Sequence, residues 1–236
     1  GVISARQAFD RVVAEGIWDQ HAFVELMRED IPLDFSEEIV REAEKIQLDE
    51  LFASREDLTH LDAVTIDDVS TTDMDDAVSV QFREDGGFQV GVHITDVTAL
   101  IPMHSALEQD ARARGSSLYF PDKKIPMLPS VLSEGLGSLK PHENRLAVSL
   151  LWDVDAVGQM AAPMWTLSVI RCNEKLSYDE VDAILDDAIH TRHPMLSSLF
   201  GVAEDLLVQR VETGAVVVAH VDRRVKVLAD GTVDVE

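Results

Sequence analysis

Between residues 1 and 60 apolar side chains recur at helical spacing. The spacing predicts one helix over about 5–14 and a second over about 20–28. After Pro32, Asp34 and Glu37 make a capping-box pair ahead of Ile39, Val40, Ala43 and Ile46. Near Leu61 the period changes to two. Val78, Val80 and Phe82 alternate with polar residues, Gly86 and Gly87 turn the chain, and Phe88, Val90, Val92 and Ile94 alternate again, which predicts a hairpin. A short helix is expected over 105–114, and two strands over 146–152 and 165–171 with a turn at 155–158. Ser177 and Glu180 form a further capping box ahead of a helix that runs through Ile184. Leu196, Leu199, Ala203, Leu206 and Leu207 mark a longer helix. A last hairpin over 225–235 ends the chain with a strand, from which the fold is expected to continue further.

Composition places the chain among ordinary globular proteins: 46% hydrophobic and 27% charged residues exclude collagen-like, coiled-coil and wholly disordered classes. Charge narrows the picture more. With 44 acids against 20 bases the formal net charge is −24, spread evenly along the chain. A module that coats nucleic acid unaided has the opposite sign, because Lys and Arg supply its affinity for phosphate. A divalent cation, or basic surface from another segment, reverses that repulsion locally. Cys172 is the only cysteine, so neither an intrachain disulfide nor a cysteine-based zinc cluster can form. No apolar run approaches the ~20 residues of a bilayer span, and the start has no charged-then-apolar leader. No membrane partner and a cytoplasmic setting are therefore expected. The lack of an initial Met suggests a processed or excised piece.

Candidate chemistry concentrates in Thr65-Ile66-Asp67-Asp68-Val69-Ser70-Thr71-Thr72-Asp73-Met74-Asp75-Asp76-Ala77, where five carboxylates fall within ten residues between two apolar β-segments. Charges about 4 Å apart repel by roughly 4 kcal/mol at an effective dielectric of 20. A converging set therefore needs protonation or a cation. Oxygen ligands without His or Cys favour a hard ion, Mg²⁺ or Mn²⁺. An acidic surface loop is the plainer alternative. A calcium loop is excluded, because counting from Asp73 puts Val78 where that loop requires glycine. Clustered carboxylates holding Mg²⁺ commonly serve phosphodiester chemistry. The G-x-S-x-G, H-E-x-x-H, Walker and G-x-G-x-x-G patterns are all missing.

Residues 61–181 resemble the catalytic domain of the ribonuclease II/ribonuclease R (RNB) exoribonucleases. The resemblance is carried in order by TIDDVSTTDMDDA (65–77), VGVHITDV (90–97), the stretch 105–141 with its PMLP block (126–129), RLAVSL (145–150) and KLSYDEV (175–181). It implies a mixed α/β (α+β) fold with a mostly antiparallel sheet and flanking helices. Residues 1–60 then form a helical segment or the tail of an accessory domain, and 61–236 the first part of the catalytic domain. It further implies Mg²⁺-dependent (or Mn²⁺-dependent) 3′→5′ hydrolysis of single-stranded RNA to nucleoside 5′-monophosphates. Asp67, Asp73, Asp75 and Asp76 occupy the family's acidic positions around the metal, with Asp75 the catalytic acid whose loss abolishes cleavage. Asp68 is not a family acid and is read as solvated. Tyr119 matches an aromatic that stacks on a base, and Tyr178 a position that helps tell ribose from deoxyribose. Read as residues alone, Tyr119 is better explained as a core tyrosine beside Phe120 and Pro121, and Tyr178 serves equally as a tyrosine at the start of a helix. His93 reads as a structural histidine and Asp96 as a turn or cap. Arg112, Arg114, Lys123 and Lys124 form the one local basic stretch, facing phosphate or merely solvent.

Three departures from the family are visible. Val218, in GAVVVAH (214–220), stands where a second aromatic is usual. An arginine motif of the later catalytic domain does not follow, and the usual cold-shock-like and S1-type OB domains do not flank this chain, so they are expected from further parts of the same polypeptide. A catalytically silent RNB-like module that binds RNA or a protein is the alternative reading. A phosphohydrolase of small molecules leaves Tyr119 and the PMLP block without a role.

Overall fold

The computed structural model describes residues 4–18, 24, 31–120, 123–218, 225–227 and 232–235. It divides into two compact units, Gly1–Phe35 and Ser36–Glu236. In the first, helix α1 (Ala5–Ala14) opens on a capping box. Ser4 Oγ accepts from the Gln7 amide at 3.2 Å, and the Gln7 side chain accepts from the Ser4 amide at 2.9 Å. Apart from residue 24, the helix expected over 20–28 lies outside the described residues, as does the turn of the last hairpin.

In the second unit two short helices, α2 (Glu37–Ala43) and α3 (Asp49–Phe52), precede strand β1 (Glu56–Asp57). The cap of α2 differs from the sequence reading: Ser36 Oγ accepts from the Ile39 amide at 3.4 Å. The cap thus falls two residues after the Asp34 of the sequence reading. The ladder that follows comprises β2 (Ala63–Asp67), β3 (Asp76–Phe82), β4 (Phe88–Thr95), β7 (Asn144–Val154) and β8 (Met164–Ser177). Between β4 and β7 lie α4 (Val97–Leu100), α5 (Ala106–Arg114), the small hairpin β5 (Leu118–Tyr119) and β6 (Lys124–Ile125), and a π-helix over Val131–Leu136. Helices α6 (Tyr178–Asp186) and α7 (His193–Glu212) follow β8, then the paired strands β9 (Val225–Val227) and β10 (Val233–Val235).

Most pairings are antiparallel, and β8 closes the circuit. Its first part pairs antiparallel with β7, while its later part runs parallel to β2, so the order β2–β3–β4–β7–β8 returns to β2. The strand read from sequence over 165–171 therefore continues to Ser177, because β2 offers it a second partner.

Alternation along the strands sends small residues to one face and branched ones to the other. On the first face a buried polar chain crosses four strands. Ser79 Oγ lies 2.9 Å from His93 Nε2, His93 Nδ1 lies 2.7 Å from Ser149 Oγ, and Ser149 Oγ lies 2.6 Å from Ser168 Oγ. His93 is thus structural, bound on both ring nitrogens, and its burial holds it neutral by pushing its pKa down to about 4. On the opposite face Val64, Val80 and Leu176 pack with Ile184, Met195 and Leu196 of α6 and α7. Helix α2 buries Ile39 and Ala43, and Glu42 Oε2 accepts from the Leu107 amide near the start of α5 at 3.2 Å. Asp96 caps α4 through the Ala99 amide at 3.2 Å and also pairs with Arg55 Nη2 at 2.5 Å, both side chains buried.

Candidate functional site

Asp67 ends β2, Asp76 opens β3, and residues 68–75 form the loop between them. Its conformation is set from several sides. Asp68 Oδ1 accepts from the amide and hydroxyl of Ser70, at 3.0 and 2.7 Å, and so closes a local turn at the surface. Lys175 Nζ donates to the carbonyls of Val69 and Thr71, at 3.0 and 2.7 Å. Farther on, Ser138 Oγ accepts from the Met74 amide at 3.0 Å and donates to the Thr72 carbonyl at 3.1 Å, while the Leu139 amide donates to the Met74 carbonyl at 2.9 Å. Met74 is thereby drawn into the core beside Leu139. Its neighbours Asp73 and Asp75, on the other side of the extended chain, both line a cavity of about 400 Å³.

Tyr119 and the π-helix residues Leu132 and Ser133 contribute further walls of that cavity. The Tyr119 ring is exposed, and its hydroxyl donates to Asp73 Oδ2 at 3.0 Å. Lys124, its register partner across the β5–β6 hairpin, donates to the same oxygen at 2.6 Å. The rest of the basic stretch divides: Arg112 and Arg114 pair with Glu108 and Asp110 on their own helix, and Lys123 is exposed. Tyr178 begins α6, immediately after Ser177, the register partner of Asp67 in the parallel β2–β8 pair, and is exposed. Val218 is exposed and does not line the cavity.

Charge is unevenly compensated among these acids. Burial would raise the Asp73 carboxyl, but the bonds from Lys124 and Tyr119 hold it below the usual range. Asp75 is raised by partial desolvation and by Asp73, Asp76 and Asp67 nearby. Asp67 is raised by burial and by Asp76, and its Oδ2 is buried without a hydrogen-bond partner. As the side chains stand, no three His, Cys, Asp or Glu groups among the described residues gather closely enough to hold one metal ion. The donor chemistry nevertheless fits a hard cation: the set is all oxygen, one buried oxygen is orphaned, and the carboxylates raise one another's affinity for positive charge. Ser138, Lys175 and the particular reach of Lys124 were not assigned from sequence, because each acts on a segment distant along the chain.

A family model described as the RNB domain matches residues 55–235, and the chain belongs to that family. It is 41% identical over 174 residues to Ribonuclease R of Chlamydia muridarum (strain MoPn / Nigg), covering 72% of this chain and 25% of that protein. It is 46% identical over 132 residues to the protein called Inactive exonuclease DIS3L2 of Arabidopsis thaliana, covering 56% of this chain and 12% of the relative. Among solved structures, Mycoplasma genitalium RNase R in complex with double-stranded RNA superposes with a TM-score of 0.78 at 25% identity, over 89% of this chain and 38% of that one. The chain spans about a quarter of the length of the Ribonuclease R it matches. No helix among the described residues is long and apolar enough to cross a membrane.

Proposed function

We propose that this chain is the acid-bearing part of an exoribonuclease that removes nucleoside 5′-monophosphates from the 3′ end of single-stranded RNA. The observation that carries the reading is the pairing of Asp73 and Asp75 with an exposed Tyr119 around one cavity. Asp67, Asp73, Asp75 and Asp76 would hold Mg²⁺, with Mn²⁺ a substitute, and the ion when bound supplies an activated water and stabilises the leaving oxygen. The residues of the chain do the rest. Met74, locked inward by Ser138 and Leu139, aims the carboxylates on either side of it into the cavity. Tyr119 offers a ring on which a terminal base stacks, an interaction of about 1–3 kcal/mol that tolerates every base. Tyr178, beyond the Asp67 strand end, is assigned to the ribose. With a net charge of −24 the chain depends on basic surface elsewhere to receive RNA. The S1-type or other OB-like domains expected in the same polypeptide fill that part, in a cytoplasmic setting.

The test is Asp75→Asn in the complete protein with Mg²⁺ and a 5′-labelled single-stranded RNA. The parent shortens the RNA stepwise and releases mononucleotides. The variant still binds RNA and leaves it intact. Cleavage by the variant at the parent rate removes Asp75 from the chemistry. A silent module that binds RNA or a protein is the second reading: a relative named as inactive is 46% identical to this chain, and one named as an exonuclease is equally so. Intact RNA with the parent itself, while binding persists, selects that reading.

A further inference from the structure

Asp73 is the one member of the four aspartates with an ion-pair partner among the described residues. Its Oδ2 accepts from Lys124 Nζ at 2.6 Å and from Tyr119 Oη at 3.0 Å, so both lone pairs of that oxygen are engaged. Lys124 Nζ also lies 3.5 Å from Glu134 Oε1 and 5.6 Å from the centroid of the Tyr119 ring. The pair is largely shielded, with the Lys124 and Asp73 side chains 21% and 14% exposed. A cation approaching Asp73 Oδ2 therefore meets an oxygen that has no acceptor capacity left, and a resident ammonium that repels it.

We propose that Lys124 is a built-in placeholder at Asp73: its ammonium and a divalent cation compete for one carboxylate oxygen, and the cation displaces Lys124 and the Tyr119 hydroxyl together. The inference rests on the reading of the four aspartates as ion ligands. Lys124 acts through Asp73 and is a positioning residue. In the empty site it neutralises Asp73, whose Oδ2 tethers the Tyr119 hydroxyl. Once the ion is bound, the tether is gone and the Tyr119 ring is free to turn toward a base. Binding of ion and of RNA end are thereby coupled, and such coupling is reciprocal.

The experiment measures Mn²⁺ uptake by the whole chain, from the electron paramagnetic resonance of the free ion, in the parent, Lys124→Met, Lys124→Arg and Asp75→Asn. The relevant site is the one that Asp75→Asn removes. Lys124→Met is expected to bind Mn²⁺ about tenfold more tightly, within the span by which coupled sites shift one another. It is also expected to melt lower than the parent in chelator, and to close that gap at saturating Mn²⁺. Lys124→Arg keeps the competing charge and stays near the parent in affinity. A merely structural lysine lowers the melting temperature equally with and without Mn²⁺ and leaves the affinity unchanged, which overturns the proposal alone. A parent that takes up no Mn²⁺ sensitive to Asp75→Asn overturns the ion-ligand reading, and the placeholder with it. Should Lys124→Met not fold, Lys124→Gln is measured in its place, with the same expected tightening and the same overturning result.

Discussion

Gly91 faces a space that no side chain can enter. A Cβ there would lie 2.5 Å from Ser79 Oγ and 2.6 Å from His93 Nε2. The residue is a glycine because the buried hydrogen bond between its neighbours fills the place of a side chain. Gly91→Ala is accordingly expected to destabilise the protein by about 1–3 kcal/mol through overpacking, measured by equilibrium denaturation. Combining it with Ser79→Ala relieves part of the crowding, so the double variant is less destabilised than the two single effects summed. Strict additivity would mean that the interior yields in some other way. The same scale separates the acids. Asp73 has a resident cation, Asp67 has an orphaned buried oxygen, and Asp68 is engaged in its own turn, although all three are aspartates within seven residues.

At the scale of elements, the aspartate loop is shaped by the segment following the π-helix. Leu132 and Leu139 are fully buried on either side of Ser138, which anchors that segment against Met74. Ser138→Ala leaves the buried Met74 amide without a partner, at a cost of about 1–3 kcal/mol. The expected outcome is a lower denaturation midpoint together with faster hydrogen exchange at the Met74 amide. An amide that stays fully protected would show that the Leu139–Met74 bond alone holds the loop. Much at this scale was legible in sequence. The β3–β4 hairpin, the helix over 105–114, the Ser177 cap and the long helix marked by Leu196–Leu207 follow from local periodicity and capping chemistry. The two-residue strands β5 and β6 were not, since a ladder so short has no period to read. The π-helix also escaped, because its register depends on the burial of Leu132 and on the close approach of Gly137 to the Leu132 carbonyl.

For the whole second unit, the polar chain through His93 ties stability to pH. The native pKa is depressed from 6.5 to about 4 by burial, so the unfolded chain takes up the proton first as pH falls. The stabilisation is therefore complete above pH 6.5 and is lost as pH falls through about 4. The span corresponds to roughly 3 kcal/mol. Comparison of the parent with His93→Gln isolates this effect from the relief of repulsion among 44 acids. Their stability difference is expected to narrow as pH is lowered from 7 toward 4. A difference that stays constant would place the charged imidazole in the native interior. Asp96 behaves alike at lower pH. Burial would raise it, but Thr98 and Arg55 hold it below its usual value, so its contribution is lost only as pH falls through that depressed value.

The amino-acid order by itself determined the strands and helices long enough to show a period, the crowding of carboxylates at a strand junction, and the family. The first two depend on neighbours within a few positions, and the third on motifs read one after another along the chain. Closure of the ladder by β8, the inward pull on Met74 and the salt bridge from Lys124 to Asp73 were decided only in three dimensions. They join residues tens of positions apart, and a charge pair or hydrogen bond across such a separation leaves no periodic trace in the chain.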